Sequence, residues 1–205
     1  MIPMDHEKIW VDFNGCLSAS DIGAFFYILF RINEFEDVKM VEVGSWKGYS
    51  SFCLMTILRG FNKKGRLWCV DIWDNYDEPS DPGSMILNEY MNKGGDQVYE
   101  KFKRNINTVG LSDQIIPMRM MSVEAAKEFE DDSLDLVFID AAHGYKDVID
   151  DINAWFPKVK SGGFIAGHDI DFTEVKNAVC EFALKVSNHN VFQVIDSRVW
   201  AHRKE

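Results

Sequence analysis

From Val38 to the C-terminal residues, short apolar runs alternate with stretches of helical periodicity, and this alternation limits the fold more than any other feature. "VKMVEV", "RLWCVDIW", "QIIPMRM", "LDLVFID" and "GFIAGHD" are apolar at most positions, as strands buried on both faces are. A helix opening at Ser18 or Ser20, whose hydroxyls suit an N-cap, is expected to run to about Phe35. Further helices are expected over Tyr49–Arg59, Gln97–Val109, Val123–Phe129, Tyr145–Trp155 and Phe172–Val186, with a turn at Pro157–Gly163. The last two runs, "VFQVI" and "RVWAHRK", are separated only by "DS" and read as a closing hairpin. The pattern predicts an α/β fold: a seven-stranded, mostly parallel sheet with an antiparallel last strand and helices on both faces.

The chain of 205 residues suits one domain, with 1–35 as an N-terminal cap segment and helix. Residues 74–95 are polar and rich in Pro and Gly, too long for a routine connection, and are expected to form a lid or acceptor-site insertion. Trp73, Tyr76, Met85 and Tyr90 would let that segment cover a planar acceptor. Apolar residues make up 46% of the chain, which excludes global disorder. A net charge of -11 opposes phosphate attraction, so no nucleic-acid partner is expected. The longest apolar run, "IGAFFYILF", falls far short of the ~20 residues that cross a bilayer. Asp5 and Glu7 interrupt any apolar opening, so no signal peptide is expected. Cys16, Cys53, Cys69 and Cys180 lack paired spacing and read as buried free thiols in a cytoplasmic protein. Trp10 and Phe13 could cover the chain's own pocket or a neighbour's, so a homo-oligomer stays open.

The first strand runs into "VEVGSWKGYSS", where Gly44 and Gly48 bring backbone N–H groups to the start of a helix. A dinucleotide fingerprint needs glycine where Trp46 stands, and a phosphate loop needs lysine after the glycine, whereas Lys47 precedes Gly48. Glu42 would repel a pyrophosphate and suits a ligand bearing an amine or positive charge. In "CVDIW", Asp71 can end the neighbouring parallel strand and accept the hydroxyls of a ribose. Together these features suggest a nucleoside with a charged tail. An ordinary strand–turn–helix corner and a surface acid are the plainer alternatives.

"VEVGSWKGYSS", "CVDIW", "VFIDAAHGY" and "GGFIAGHD", in that order, resemble the class I S-adenosylmethionine-dependent methyltransferases. Within them, the chain resembles the small macrocin- and catechol-type O-methyltransferase group over approximately Gly15 to Lys204. The resemblance implies a Rossmann-like methyltransferase fold and transfer of a methyl group to a hydroxyl of a small molecule. It also implies that Glu42, Gly44, Ser45, Trp46 and Gly48 lie around the methionine part of the cofactor. Asp71 and Ile72 would then meet the ribose, Met121 and Ser122 the adenine, and Asp140 the reacting end.

Asp140 ends the fourth strand, and His168 with Asp169 ends the fifth, so two carboxylates and an imidazole converge on one sheet edge. Such a cluster invites a counter-charge, which a divalent cation such as Mg²⁺ or Mn²⁺ can supply. The catechol-type resemblance implies Asp140, His168 and Asp169 as its ligands. Histidine in place of the family's aspartate leaves open the metal's identity and whether His168 stands inside the ligand shell. A metal-free site in which these groups bind substrate is the other reading. His143 stands where catechol-type enzymes carry a lysine that removes the hydroxyl proton, so His143 and Asp140 are the catalytic candidates. Two other functions are carried forward: a non-catalytic or hydroxylase-associated cofactor-binding domain, and a nicotinamide-dependent oxidoreductase.

Overall fold

The structure is a computed structural model that describes residues 13, 17–32, 34, 36–74, 95–186, 191–194 and 196–205. Its elements follow in the order α1 (Ala19–Arg31), β1 (Asp37–Val43), α2 (Tyr49–Gly60), β2 (Lys64–Asp71), α3 (Gly95–Thr108) and β3 (Ile115–Arg119). Then come α4 (Ser122–Ala125), β4 (Leu134–Ile139), α5 (Tyr145–Trp155), β5 (Val159–Gly167), α6 (Thr173–Lys185), β6 (Val191–Gln193) and β7 (Trp200–Arg203). The strands form one sheet in the order β3-β2-β1-β4-β5-β7-β6. Every pairing is parallel except those of β7, which lies antiparallel between β5 and β6. This is the Rossmann-like methyltransferase arrangement with its reversed last strand, and the closing hairpin tucks its second strand against β5.

The apolar strands bury both faces, because each alternates between two helical layers. Met40, Leu67, Cys69, Leu136, Phe138 and Phe164 pack toward α1, α2 and α3. Val41, Val43, Val70, Val137, Ile139 and Ile165 pack toward α5 and α6. The helices after β1 and β4 leave on opposite faces, so a crevice opens beyond the carboxyl ends of these adjacent strands.

Two expectations change in detail, and others fall outside the described residues. Strand β5 starts at Val159, inside the stretch read as a turn. Both features coexist: Leu134 pairs with Val159 and Leu136 with Phe164, so "KSGG" bulges out of the strand without ending it. Cys53 and Cys69 are buried but Cys180 is exposed on the outer side of α6; Cys16 lies outside the described residues. The segment 75–94, with Tyr76, Met85 and Tyr90, also lies outside them, as does Trp10. No helix among the described residues is long and apolar enough to cross a membrane.

Candidate functional site

The glycine turn is built for contact between strand ends. Gly44 has φ +87°, and a Cβ there would come within 1.9 Å of the Asp140 carbonyl oxygen. Glycine therefore lets the ends of β1 and β4 approach, fixed by a 2.8 Å hydrogen bond from Asp140 N–H to the Val43 carbonyl. Gly48, at φ +88°, opens α2, and a Cβ on it would meet Ile106 Cδ1 at 2.9 Å. Its glycine serves backbone torsion and packing against α3.

Asp71 fastens this turn to the next one. Its Oδ2 accepts from Trp46 N–H at 2.9 Å and its Oδ1 from Trp73 N–H at 2.8 Å. Trp73 Nε1–H donates to the Trp46 carbonyl at 2.8 Å. These bonds hold both tryptophans at positive φ, 43° for Trp46 and 40° for Trp73. Trp73 is fully buried against Tyr99 and Phe102, which corrects its assignment to the acceptor-pocket wall. The apolar run continues past Asp71, and α3 offers that indole an aromatic bed. Ile72 is half-buried, with its carbonyl accepting from Arg119 Nε at 3.2 Å. Arg119, a contributor to the turn that the sequence reading missed, also donates to the Trp73 carbonyl at 2.7 Å.

Glu42 shares the face of Met40 and points toward α2, fully buried. Its Oε2 accepts from the Ser51 hydroxyl and lies 3.5 Å from Cys69 Sγ. Burial pushes its carboxyl above the ordinary range, against the pull of the neighbouring Ser50, Ser51 and Ser45 hydroxyls, of which Ser51 donates to it. Glu42 Oε1, Ser45 Oγ and Trp46 Nε1 are buried without a hydrogen-bond partner among the described residues. Such orphans are rare in folded proteins, and these three lie together at the end of β1 and the start of the turn after it. Beyond β3, Met121 is 60% exposed and free to cover a flat ligand. Ser122 instead accepts from Trp155 Nε1–H at 2.9 Å, a bond internal to the fold.

The acidic centre forms beside the crevice. His143 Nε2 lies 2.8 Å from Asp169 Oδ2, and His168 Nδ1 lies 3.1 Å from Asp169 Oδ1. The Arg198 guanidinium also pairs with Asp169 Oδ1. Burial alone would raise Asp169, but hydrogen bonds from His143 and His168 outweigh it and hold the carboxyl well below its usual range. Asp140 keeps 24% of its side chain exposed, and its Oδ1 stands 3.7 Å from His168 Nδ1. Burial among acids lifts Asp140 to about 6, against the pull of His168. For His168, burial disfavours the cation, but the Asp169 hydrogen bond and the charges of Asp140, Asp169 and Asp21 raise it to about 9.

The His168 ring is thus set among carboxylates that favour its protonated form. Its Nε2 stands 3.3 Å from Asp21 Oδ2, close enough to pair but outside hydrogen-bond alignment. The residues whose ligand atoms all lie within 4.8 Å of one another are Asp140, His143 and Asp169. His143 thereby joins the cluster, in which His168 Nδ1 also stands close to Asp140 and Asp169. A cavity of about 10 Å³ opens between Asp140, His143, His168 and Asp169, room for roughly one water or ion. Sequence reasoning missed Asp21 and Arg198. Asp21 carried only a capping signal three residues after Ser18, and Arg198 read as part of the closing hairpin.

Comparison with known proteins places the chain in a family and bears on its fold. Residues 41–170 match a family model described as a methyltransferase domain. An uncharacterized protein of Sinorhizobium fredii, y4gI, is 27% identical over 136 residues, 66% of this chain. The chain spans only 13% of that relative's length. Among solved structures, the O-methyltransferase NovP superposes with a TM-score of 0.70 at 17% identity, covering 91% of this chain and 80% of NovP. A Corynebacterium glutamicum protein gives 0.66 at 11% identity, covering 93% and 83% of the two chains. The calicheamicin methyltransferase CalS11 gives 0.60 at 10% identity, with coverage of 90% and 78%. These structural likenesses speak for the fold.

Proposed function

We propose, from the premise that this chain belongs to the methyltransferase-domain family and has the class I S-adenosylmethionine-dependent fold, that it methylates a hydroxyl of a small molecule. The observation that carries the proposal is the set of orphaned polar atoms, Glu42 Oε1, Ser45 Oγ and Trp46 Nε1, in the turn at the β1/β4 crevice. A ligand with an amine and polar edges fits that turn. S-adenosylmethionine supplies an electrophilic methyl group on sulfur when bound. Glu42, Gly44, Ser45, Trp46 and Gly48 would surround its amino-acid end. Asp71 and Ile72 would meet the ribose, and Met121 the adenine, with Ser122 at the base of that pocket.

The chemistry left to the protein is alignment and removal of a proton. With His143 Nε2 at 2.8 Å from Asp169 Oδ2, an Nε2–H donated there would orient the ring and make Nδ1 the nitrogen that takes the acceptor's proton. Asp140 would orient the acceptor at the same edge. A second reading is favoured by the compact trio of ligand atoms: Asp140, His143 and Asp169 would hold a divalent cation, with His168 behind them. The mixed oxygen and nitrogen set suits Mn²⁺ as well as Mg²⁺, and the cation would lower the acceptor's pKa as a Lewis acid. The macrocin- and catechol-type subgroup, an N-terminal cap over 1–35 and a lid over 74–95 belong to this same proposal. A non-catalytic binding domain is the alternative that the same turn could serve.

The test uses the full chain with methyl-labelled S-adenosylmethionine and a panel of catechols, phenols and sugar alcohols, with Mg²⁺, Mn²⁺ or EDTA. Label transfer to at least one hydroxyl is expected. Cofactor binding with no transfer across the panel would favour the non-catalytic domain, and loss of transfer in EDTA would favour the metal reading over the histidine base.

A further inference from the structure

Asp21 lies on α1, outside the span matched by the family model, yet its carboxylate is fully buried at the acidic centre. Oδ2 accepts from Ser18 N–H at 2.8 Å and from the Ser18 hydroxyl at 2.7 Å. Oδ1 accepts from Arg198 N–H at 2.8 Å, and His168 Nε2 stands 3.3 Å from Oδ2. Ser18 and Arg198 donate, and the His168 ring faces Oδ2 as an ionic neighbour outside hydrogen-bond alignment, so a carboxylate, which accepts through both oxygens and carries charge, suits the whole set. A capping box explains the bonds to Ser18 but not the burial, the Arg198 bond or the imidazole.

From Asp21 the contacts continue as an ionic approach to His168 and then into the acidic centre. His168 offers its other nitrogen to Asp169 Oδ1 at 3.1 Å, and Asp169 Oδ2 meets His143 Nε2 at 2.8 Å. Asp169 itself sits at φ +60°, a left-handed torsion that a non-glycine residue holds only when its neighbours fix it. We propose that Asp21 is a positioning residue of the methyl-transfer site: through the His168 ring it sets the orientation of Asp169, and through Asp169 that of His143. Helix α1 is then part of the site. This inference rests on the reading of His143 as a group of that site.

The experiment is nitrogen-correlated NMR of the ¹⁵N-histidine-labelled full chain, comparing Asp21→Asn with Ser18→Ala. Asparagine keeps the volume but turns an amide donor toward donors; Ser18→Ala removes the helix cap and leaves the carboxylate. The His143 and His168 ring signals are expected to shift by more than their linewidths in Asp21→Asn and to stay within them in Ser18→Ala. His143 signals unmoved in Asp21→Asn, or moved equally in Ser18→Ala, overturn the inference. If Asp21→Asn does not fold, His168→Asn removes the connecting ring, and unmoved His143 signals overturn the inference there too. Calorimetry of the unaltered chain with S-adenosylhomocysteine tests the functional reading separately, so the two can fail independently.

Discussion

At Gly44, torsion and space forbid a side chain together: φ is +87° and the Asp140 carbonyl lies 1.9 Å from where a Cβ would stand. Gly44→Ala should therefore cost roughly 2–4 kcal/mol from left-handed strain and separation of the strand ends. Denaturant titration measures that loss, and calorimetry should show S-adenosylhomocysteine binding weakened with it. Asp151 makes the opposite case, a residue whose charge opposes folding. Burial raises its carboxyl to about 6 from 3.8, despite a hydrogen bond from Ser122. A raised carboxyl pKa means that the folded chain holds the proton more tightly, so stability falls as pH rises from about 4 through 6. Asp151→Asn keeps an acceptor for Ser122 and removes the charge. It should be more stable than the parent by roughly 2–3 kcal/mol at pH 7.5, with the difference vanishing near pH 4. Urea midpoints of both proteins across that range would reveal the trend, and a constant difference would contradict it.

Elements reveal what a sequence can and cannot disclose. The strands were legible because runs such as "LDLVFID" are apolar at most positions, and the reading placed Asp140 and Asp169 at one edge on that basis. Helix α1 was legible at its start: Ser18 accepts from Asp21 N–H at 3.2 Å, closing the capping box. Ser18→Ala should cost about 1 kcal/mol in thermal or chemical unfolding. What α1 touches was not legible, because Asp21 meets the backbone of Arg198, 177 residues away, and no local pattern announces such a contact. The same limit explains Trp73, whose burial depends on aromatic residues of α3. It also hid a further acid beside His168: the acids near the edge were visible, but not the carboxylate on α1 that stands 3.3 Å from the ring's far nitrogen.

For the molecule as a whole, the crevice between β1 and β4 is where separate parts of the chain meet, with Gly44 from one strand, Asp140 from its neighbour and Asp71 from the next. A ligand spanning these ends binds only when the sheet is assembled, so its binding free energy adds to the stability of the whole fold. With S-adenosylhomocysteine at a hundred times its dissociation constant, that addition is about 2.7 kcal/mol. For a chain of this size the unfolding temperature should rise by roughly 5–10 °C. Asp71→Ala should abolish most of the rise, since it removes both the proposed ribose acceptor and the bonds that hold Trp46 and Trp73. NAD should produce none, because the indole-bearing residue at position 46 stands where a pyrophosphate would need bare backbone. A rise with NAD but not with S-adenosylhomocysteine, read by differential scanning calorimetry, would assign the crevice to a dinucleotide and overturn the methyl-transfer reading.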